Sequence, residues 1–248
     1  MYWEYCNANC ITSRLRITAI MLNRCYFYEK SNKNYGYNAL FISTIISKFK
    51  SIDVKKMNIG ILLFDEVEVL DFAGPYEVFA ITTDSHNKKL FNVFTVAQKH
   101  EITARNGLSV KSDYLLENCP CIDILVIPGG YGAETVELYN AHLLDWIKSK
   151  HQTTNITFSI CTGAFILAET GLLDGLSATT HWMDISRLEA EYPKITVIKD
   201  VRFVDENKII TSAGISSGIN ASLHVVSKVT NRDIALNTAR RMEFEADL

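Results

Sequence analysis

No Cys-x2-Cys pair occurs among the six cysteines, and the six histidines show no metal-ligand spacing. Those gaps leave no zinc ribbon, zinc finger or disulfide framework to be read from the chain. Cys119-Pro120-Cys121 is too closely spaced for a zinc knuckle and reads as ordinary loop or core thiols. A reducing cytoplasm is the simplest setting for such cysteine usage. Nor is there a basic excess: 25 Lys/Arg against 28 Asp/Glu leave a net charge of -3, which gives no electrostatic footprint for nucleic acid. The apolar run over residues 39–46 is too short to span a bilayer. A signal peptide is not expected, because Glu4 precedes any hydrophobic segment and Arg14 and Arg16 interrupt the next one. Gly214-Ile215-Ser216-Ser217-Gly218 is too poor in glycine for a phosphate loop and matches no nucleotide fingerprint, so it either lines a pocket or turns the chain.

What is present is enough for one sizeable core. The chain has 248 residues, 48% of them hydrophobic, which suits one domain with an appendage. Charge marks the appendage: residues 1–56 carry nine Lys/Arg against three Asp/Glu, net +6, and the rest carries 16 against 25, net -9. This leader also holds three of the six cysteines and lacks a clean period. An arginine-rich, acid-poor leader is compatible with an organellar address. The plainer expectation is that Met57 is a natural start and residues 1–56 are a poorly ordered N-terminal extension.

From Met57 onward the pattern is regular. Residues 58–64 and 122–127 read as buried strands, and residues 91–97 alternate as another. Residues 72–82 read as a helix opened by Gly74-Pro75, and residues 101–111 as a hairpin turning at Asn106-Gly107. A helix is expected from about Glu134 to Lys150, then a strand over 155–160, a hairpin around Asp205-Glu206-Asn207, and two helices from Ser217 to Glu245. Such alternation argues for an α/β fold with a mostly parallel sheet covered on both faces. In such sheets ligands bind beyond the carboxyl ends of the strands, so Asp71, Gly130 and Cys161, each just after a predicted strand, should converge on one edge.

Ser159-Ile160-Cys161-Thr162-Gly163 concentrates the chemistry: a cysteine between an apolar strand and a nearly all-apolar helix. Orphan N–H groups and the helix dipole at that position would favour the thiolate, and a sharp strand-to-helix turn lifts the side chain toward a crevice. Two readings stand side by side, a nucleophile and a small buried hydrophobe. Asp71, flanked by Leu70 and Phe72, is either a helix cap or a carboxyl whose pKa is raised by its apolar setting. Pro128-Gly129-Gly130 is a strand stop, or, with the N–H of Thr162, a cradle for developing negative charge. His181, within Ala178-Thr179-Thr180-His181-Trp182, reads first as a packing residue.

Taken together, five motifs in this order resemble the ThiJ/PfpI branch of the glutamine-amidotransferase-like superfamily, and most closely its isonitrile hydratases. They are Leu70-Asp71 with Gly74-Pro75-Tyr76-Glu77-Val78-Phe79, Ile127-Pro128-Gly129-Gly130, Ser159 through Ala164, Gly171-Leu172-Leu173-Asp174-Gly175, and Ala178 through Trp182. The resemblance covers residues 57–248. It implies a flavodoxin-like three-layer sandwich, usually homodimeric with the cysteine close to the subunit interface, and a small-molecule substrate. It implies Cys161 as nucleophile, Asp71 as its carboxyl partner and Thr162 as an essential neighbour, with the N–H groups of Gly130 and Thr162 as oxyanion donors. Gly129, His181, Trp182 and Ile215 are expected to complete the substrate site, with no metal or organic cofactor, no nucleic-acid partner and no membrane partner.

Departures from relatives narrow the expected activity. The peptidase-like members carry histidine directly after the cysteine, where this chain has Thr162, and amidotransferases use a histidine and glutamate near the chain's end, where Glu243-Phe244-Glu245 has no histidine beside it. Hydratase-like sequences often carry aspartate where this chain has Asn220. Hydration of an isonitrile to a formamide is the first expectation. A glyoxalase or deglycase activity and a stand-alone sensor or stress-response protein are the alternatives. Transcription regulators with very similar motifs add a helix-turn-helix region, for which no room is expected after the last helix here.

Overall fold

A computed structural model describes residues 56–246. The expected N-terminal extension lies, Lys56 apart, outside the described residues. Strand β1 (Met57–Leu63) leads through helix α1 (Val69–Ile81) to β2 (Phe91–Ala97). An antiparallel excursion, β3 (Glu101–Thr103) and β4 (Ser109–Lys111), turns at Arg105–Gly107 as the Asn-Gly signal predicts, and β5 (Tyr114–Leu115) follows it. Next come β6 (Ile124–Ile127), α2 (Tyr131–Thr135), α3 (Ala141–Thr153), β7 (Ile156–Ile160) and α4 (Gly163–Glu169). A small pair, β8 (Ser177–Ala178) and β9 (Thr196–Val197), brackets α5 (Ile185–Glu191). The hairpin β10 (Phe203–Glu206) and β11 (Ile209–Ser212) and helices α6 (Ser217–Val229) and α7 (Arg232–Arg241) complete the described chain.

Seven strands form one sheet in the order β10-β11-β7-β6-β1-β2-β5. All neighbours are parallel except the edge hairpin β10-β11. The central strands β1, β6 and β7 are apolar and almost fully buried, which a parallel sheet sandwiched between helices requires. Side chains of β7 assign the faces. His151 of α3 meets Thr157 on one side at 2.8 Å, and Gly218 of α6 packs on Ile160, which points to the other. Helices α1, α6 and α7 pack together, as do α2 and α4, so the α/β three-layer expectation holds. Phe79, Phe158 and Phe165 are the bulkiest fully buried side chains of the core.

Two helices differ from the sequence reading. Helix α1 starts at Val69, so Pro75 is its seventh residue rather than its opener. The pyrrolidine ring leaves the Asp71 carbonyl without the usual i+4 donor, which is tolerated only because tertiary packing holds the helix. The long helix expected over 134–150 is instead three pieces: α2, a 3-10 turn over Glu137–Tyr139, and α3. Asn140 is the reason, since its side-chain carbonyl caps α3 by accepting from the Leu143 N–H at 3.2 Å.

Because β1, β6, β7 and β11 run parallel, their carboxyl ends open onto one edge. The opposite edge carries a cleft of about 530 Å³ whose lining includes Thr83, Asp84, Asn231 and Arg240; none of the candidate site residues reaches it.

Candidate active site

At the end of β7 the chain turns sharply into α4, and Cys161 is the turning residue, with a left-handed φ of 55°. A non-glycine residue there costs about 1–3 kcal/mol, so its surroundings must hold it. They do so through both backbone groups: the Cys161 N–H donates to the Ser212 carbonyl at 3.0 Å, and its carbonyl accepts from Thr180 Oγ1 at 2.8 Å. Thr162 stands at the N-cap position of α4 without a side-chain cap bond, and its hydroxyl is tied instead to the turn after β6. Its Oγ1 accepts from the Gly130 N–H at 2.9 Å and donates to the Gly130 carbonyl at 3.2 Å.

The turn after β6 lies against the cysteine so closely that residue 129 must lack a side chain. A Cβ there would stand 2.5 Å from the Thr162 nitrogen and 2.9 Å from Cys161 Cβ. The liberated Gly129 N–H points to Asp71 Oδ2 at 3.1 Å. Asp71 is therefore not a helix cap. Glu68 occupies the cap position of α1, with its N–H given to the Gly129 carbonyl at 2.9 Å, and Asp71 is the third helical residue, turned inward and fully buried.

Asp71 and Cys161 lie close enough together for the carboxyl and the thiol to act on each other's ionisation. Burial pushes the Asp71 carboxyl up to about 7; the Gly129 N–H opposes this, and the charge of Glu68 adds to it. Oδ1 is buried without a well-formed hydrogen bond of its own. Burial also drives the Cys161 thiol well above its ordinary value, and the negative charge of Asp71 adds to the rise, with only the Thr162 N–H pulling the other way. Burial beside Asp71 thus acts against the thiolate that the N-terminus of the seven-residue α4 would favour. Burial disfavours the anionic form of both groups, and it brings the Asp71 carboxyl to titrate near neutrality beside the sulfur.

The other expected residues are distributed unequally. The Gly130 N–H, expected to face substrate, is taken by Thr162, which leaves the Thr162 N–H as the donor acting on the sulfur. The His181 ring packs on Gly214, and its Nδ1 lies 3.6 Å from Asp184 Oδ2. Trp182 is 76% exposed, with its ring 5.8 Å from that of His181. Ile215 follows β11 with φ 52°, and its backbone N–H is near enough to the Asp71 carboxyl to favour the ionised form, more weakly than the Gly129 N–H does. Asn220 is buried on α6 with neither side-chain polar atom partnered.

Sequence reasoning missed a charged group beside the elbow. Arg187 bridges Glu134 and Glu191, each at 3.0 Å, and lies 4.5 Å over the Phe165 ring. Asp184 lies close enough to act on both Glu134 and the Cys161 thiol. No local pattern announces the pairing of residues 134 and 187, which arises only when α2 and α5 meet. Among the described residues no group of three or more His, Cys, Asp or Glu side chains converges as a metal site would require.

Comparison with known proteins places this geometry. A DJ-1/PfpI family model matches residues 57–228. Isonitrile hydratase of Pseudomonas putida is 31% identical over 190 residues, 76% of this chain and 78% of that protein. The HTH-type transcriptional regulator CdhR of Pseudomonas aeruginosa is 28% identical over 180 residues, covering 73% of this chain but 53% of its own length, so this chain spans about half of that regulator. The crystal structure of a THiJ/PfpI family protein from Pseudomonas syringae superposes with a TM-score of 0.68 at 25% identity, covering 78% of this chain and 77% of the other. Drosophila melanogaster DJ-1beta, at 16% identity and a TM-score of 0.66 over 77% of this chain and 99% of its own, shares the fold.

Proposed function

This chain belongs to the DJ-1/PfpI family, and from that membership we propose that it hydrates an isonitrile, R–NC, to the N-substituted formamide. The observation that carries the proposal is the buried Asp71–Cys161 pair. An isonitrile carbon must accept both a nucleophile and a proton, and a thiol buried beside a carboxyl supplies both from one place.

In the first half of the reaction, sulfur bonds to the terminal carbon while the thiol proton, passed through Asp71, is delivered to the same carbon. The product is the thioimidate R–N=CH–S–Cys161. In the second half, Asp71 takes a proton from water as the oxygen adds to that carbon, and the nitrogen is protonated. Collapse breaks the C–S bond, returns a proton to sulfur and releases R–NH–CHO, so one water is consumed and the thiol is restored. A carboxyl titrating near 7 is matched to both directions of transfer. The Thr162 N–H steadies the sulfur as it becomes anionic, offsetting the burial that otherwise keeps it protonated.

The direct test is a screen of aliphatic, cyclic and aromatic isonitriles with formamide detected by mass spectrometry. Formamide formation by the native chain and its absence in Cys161→Ala supports the reading; no formamide from any isonitrile at any pH between 6 and 9 sinks it. Incubation with methylglyoxal in parallel separates a glyoxalase-type reaction. The same reading takes the working form to be a homodimer of residues 57–248 acting on a small molecule, which light scattering tests; no helix among the described residues is long and apolar enough to cross a membrane.

A second reading is a ligand-sensing protein. The likeness to the transcriptional regulator CdhR favours it. It predicts saturable binding of a small molecule without turnover, measured by calorimetry.

A further inference from the structure

Two residues of the site hold left-handed backbone without being glycine, Cys161 and Ile215. For Cys161 the cause is the elbow itself. For Ile215 a cause must be found, because a β-branched residue with φ 52° is a steric outlier that persists only where its neighbours over-determine it. Side-chain burial is not that cause, since Ile215 is 39% exposed.

What is held is the peptide. On the downstream side, the N–H groups of Ser217 and Gly218 donate to the carbonyls of Gly214 and Ile215, each at 3.2 Å. On the upstream side, the His181 ring lies directly over Gly214. A Cβ at residue 214 would stand 2.0 Å from His181 Cδ2 and 3.0 Å from Cγ. The ring is itself fixed from behind: the Asp184 N–H donates to the His181 carbonyl at 2.9 Å, and the Asp184 carboxylate flanks Nδ1 at 3.6 Å. One residue earlier, Thr180 holds the Cys161 carbonyl. His181 therefore stands between the cysteine elbow and the loop that carries Ile215.

We propose that His181 is a positioning residue: its ring, wedged on Gly214, locks Ile215 in the left-handed conformation that aims the Ile215 N–H at the Asp71 carboxyl. The part is steric, and any flat ring of this size fills it. Contact with substrate, the role expected for His181 from the motif, is not needed for it. The consequence is electrostatic. Glu68 and Cys161 are the titratable groups acting on Asp71, while the Gly129 N–H, bonded to Oδ2 at 3.1 Å, and the nearby Ile215 N–H favour its ionised form. Releasing the loop removes one of those two donors. That Asp71 is the acid of a hydration rests on the function proposed above; the wedge does not.

The experiment needs no isonitrile, so a failed substrate screen leaves it readable. The full chain is alkylated with iodoacetamide between pH 5 and 10, and the rate at Cys161 is followed by mass spectrometry of its peptide; the inflection lost in Asp71→Asn belongs to Asp71. His181→Ala and Gly214→Ala are expected to move that inflection upward by about one unit. His181→Phe, which keeps a flat ring, is expected to leave it within a few tenths of a unit of the native value. Circular dichroism establishes that each variant is folded, and Gly214→Ala keeps the test alive should His181→Ala unfold. The proposal is overturned if both truncating changes leave the inflection in place, or if His181→Phe moves it as far as His181→Ala.

Discussion

Thr162 and Gly130 exchange two hydrogen bonds: the Gly130 N–H donates to Thr162 Oγ1 at 2.9 Å, and the Thr162 hydroxyl donates to the Gly130 carbonyl at 3.2 Å. Both groups are buried, and the two residues follow neighbouring parallel strands, β6 and β7. One hydroxyl thus stitches the turn that orients Asp71 to the turn that presents Cys161.

Replacing that hydroxyl by a methyl group is the cleanest probe of the stitch. Thr162→Val is expected to destabilise the fold by about 1–3 kcal/mol, because a buried N–H and a buried carbonyl each lose a partner, whereas Thr162→Ser retains most of the stability. Urea denaturation of the three proteins measures it. Equal midpoints for Val and native would show that the exchange contributes nothing.

The proton-sharing pair predicts an all-or-none dependence on its members. Cys161→Ala and Asp71→Asn are each expected to abolish nearly all formamide production while the far-ultraviolet spectrum stays native. Substantial turnover by either variant argues against the mechanism.

Asp71 also makes stability depend on pH. Its folded pKa, about 7, lies above the ordinary 3.8, so the folded state holds a proton that the unfolded chain has lost between those values. The contribution is fully present below 3.8 and disappears as pH rises through 7. Asp71→Asn removes the ionisation, so its stability relative to the native protein should rise between pH 5 and pH 8, by on the order of 2 kcal/mol. Denaturation curves at the two pH values check the sign; a difference that stays constant or shrinks contradicts it.

Gly129→Ala tests the close approach beneath the cysteine. The new Cβ would fall 2.5 Å from a backbone nitrogen and 2.8 Å from Thr162 Oγ1, atoms that cannot swing aside. A loss of about 1–3 kcal/mol is expected, together with faster alkylation of Cys161 as the elbow opens. Alkylation kinetics unchanged from native would mean that the turn yields without disturbing the sulfur.

Much of this was legible in order along the chain. The alternation of apolar strands and helices from Met57 is enough to specify a parallel sheet, and parallel strands necessarily bring Asp71, Gly130 and Cys161 to one edge. A cysteine between an apolar strand and small residues marks the elbow without any coordinates. Local chemistry also marks a break inside one segment: Asn140 before Ala141 is a helix cap, and it divides a stretch whose apolar content alone suggests one helix.

Other properties exist only in three dimensions. Whether Cys161 rests as thiol or thiolate turns on how much water is removed from around it and from Asp71, and burial is a sum over every element packed on the site. The helix position that sequence order suggested would favour an anion; enclosure beside a carboxylate acts against it. Likewise His181 is far along the chain from Gly214 and Ile215, and only the meeting of the loops after β8 and β11 sets a ring against a glycine. Short-range pattern decides which segments are strand, helix or turn because those choices rest on neighbouring residues, whereas dielectric and steric contact at the site depend on neighbours that the folded chain alone assembles.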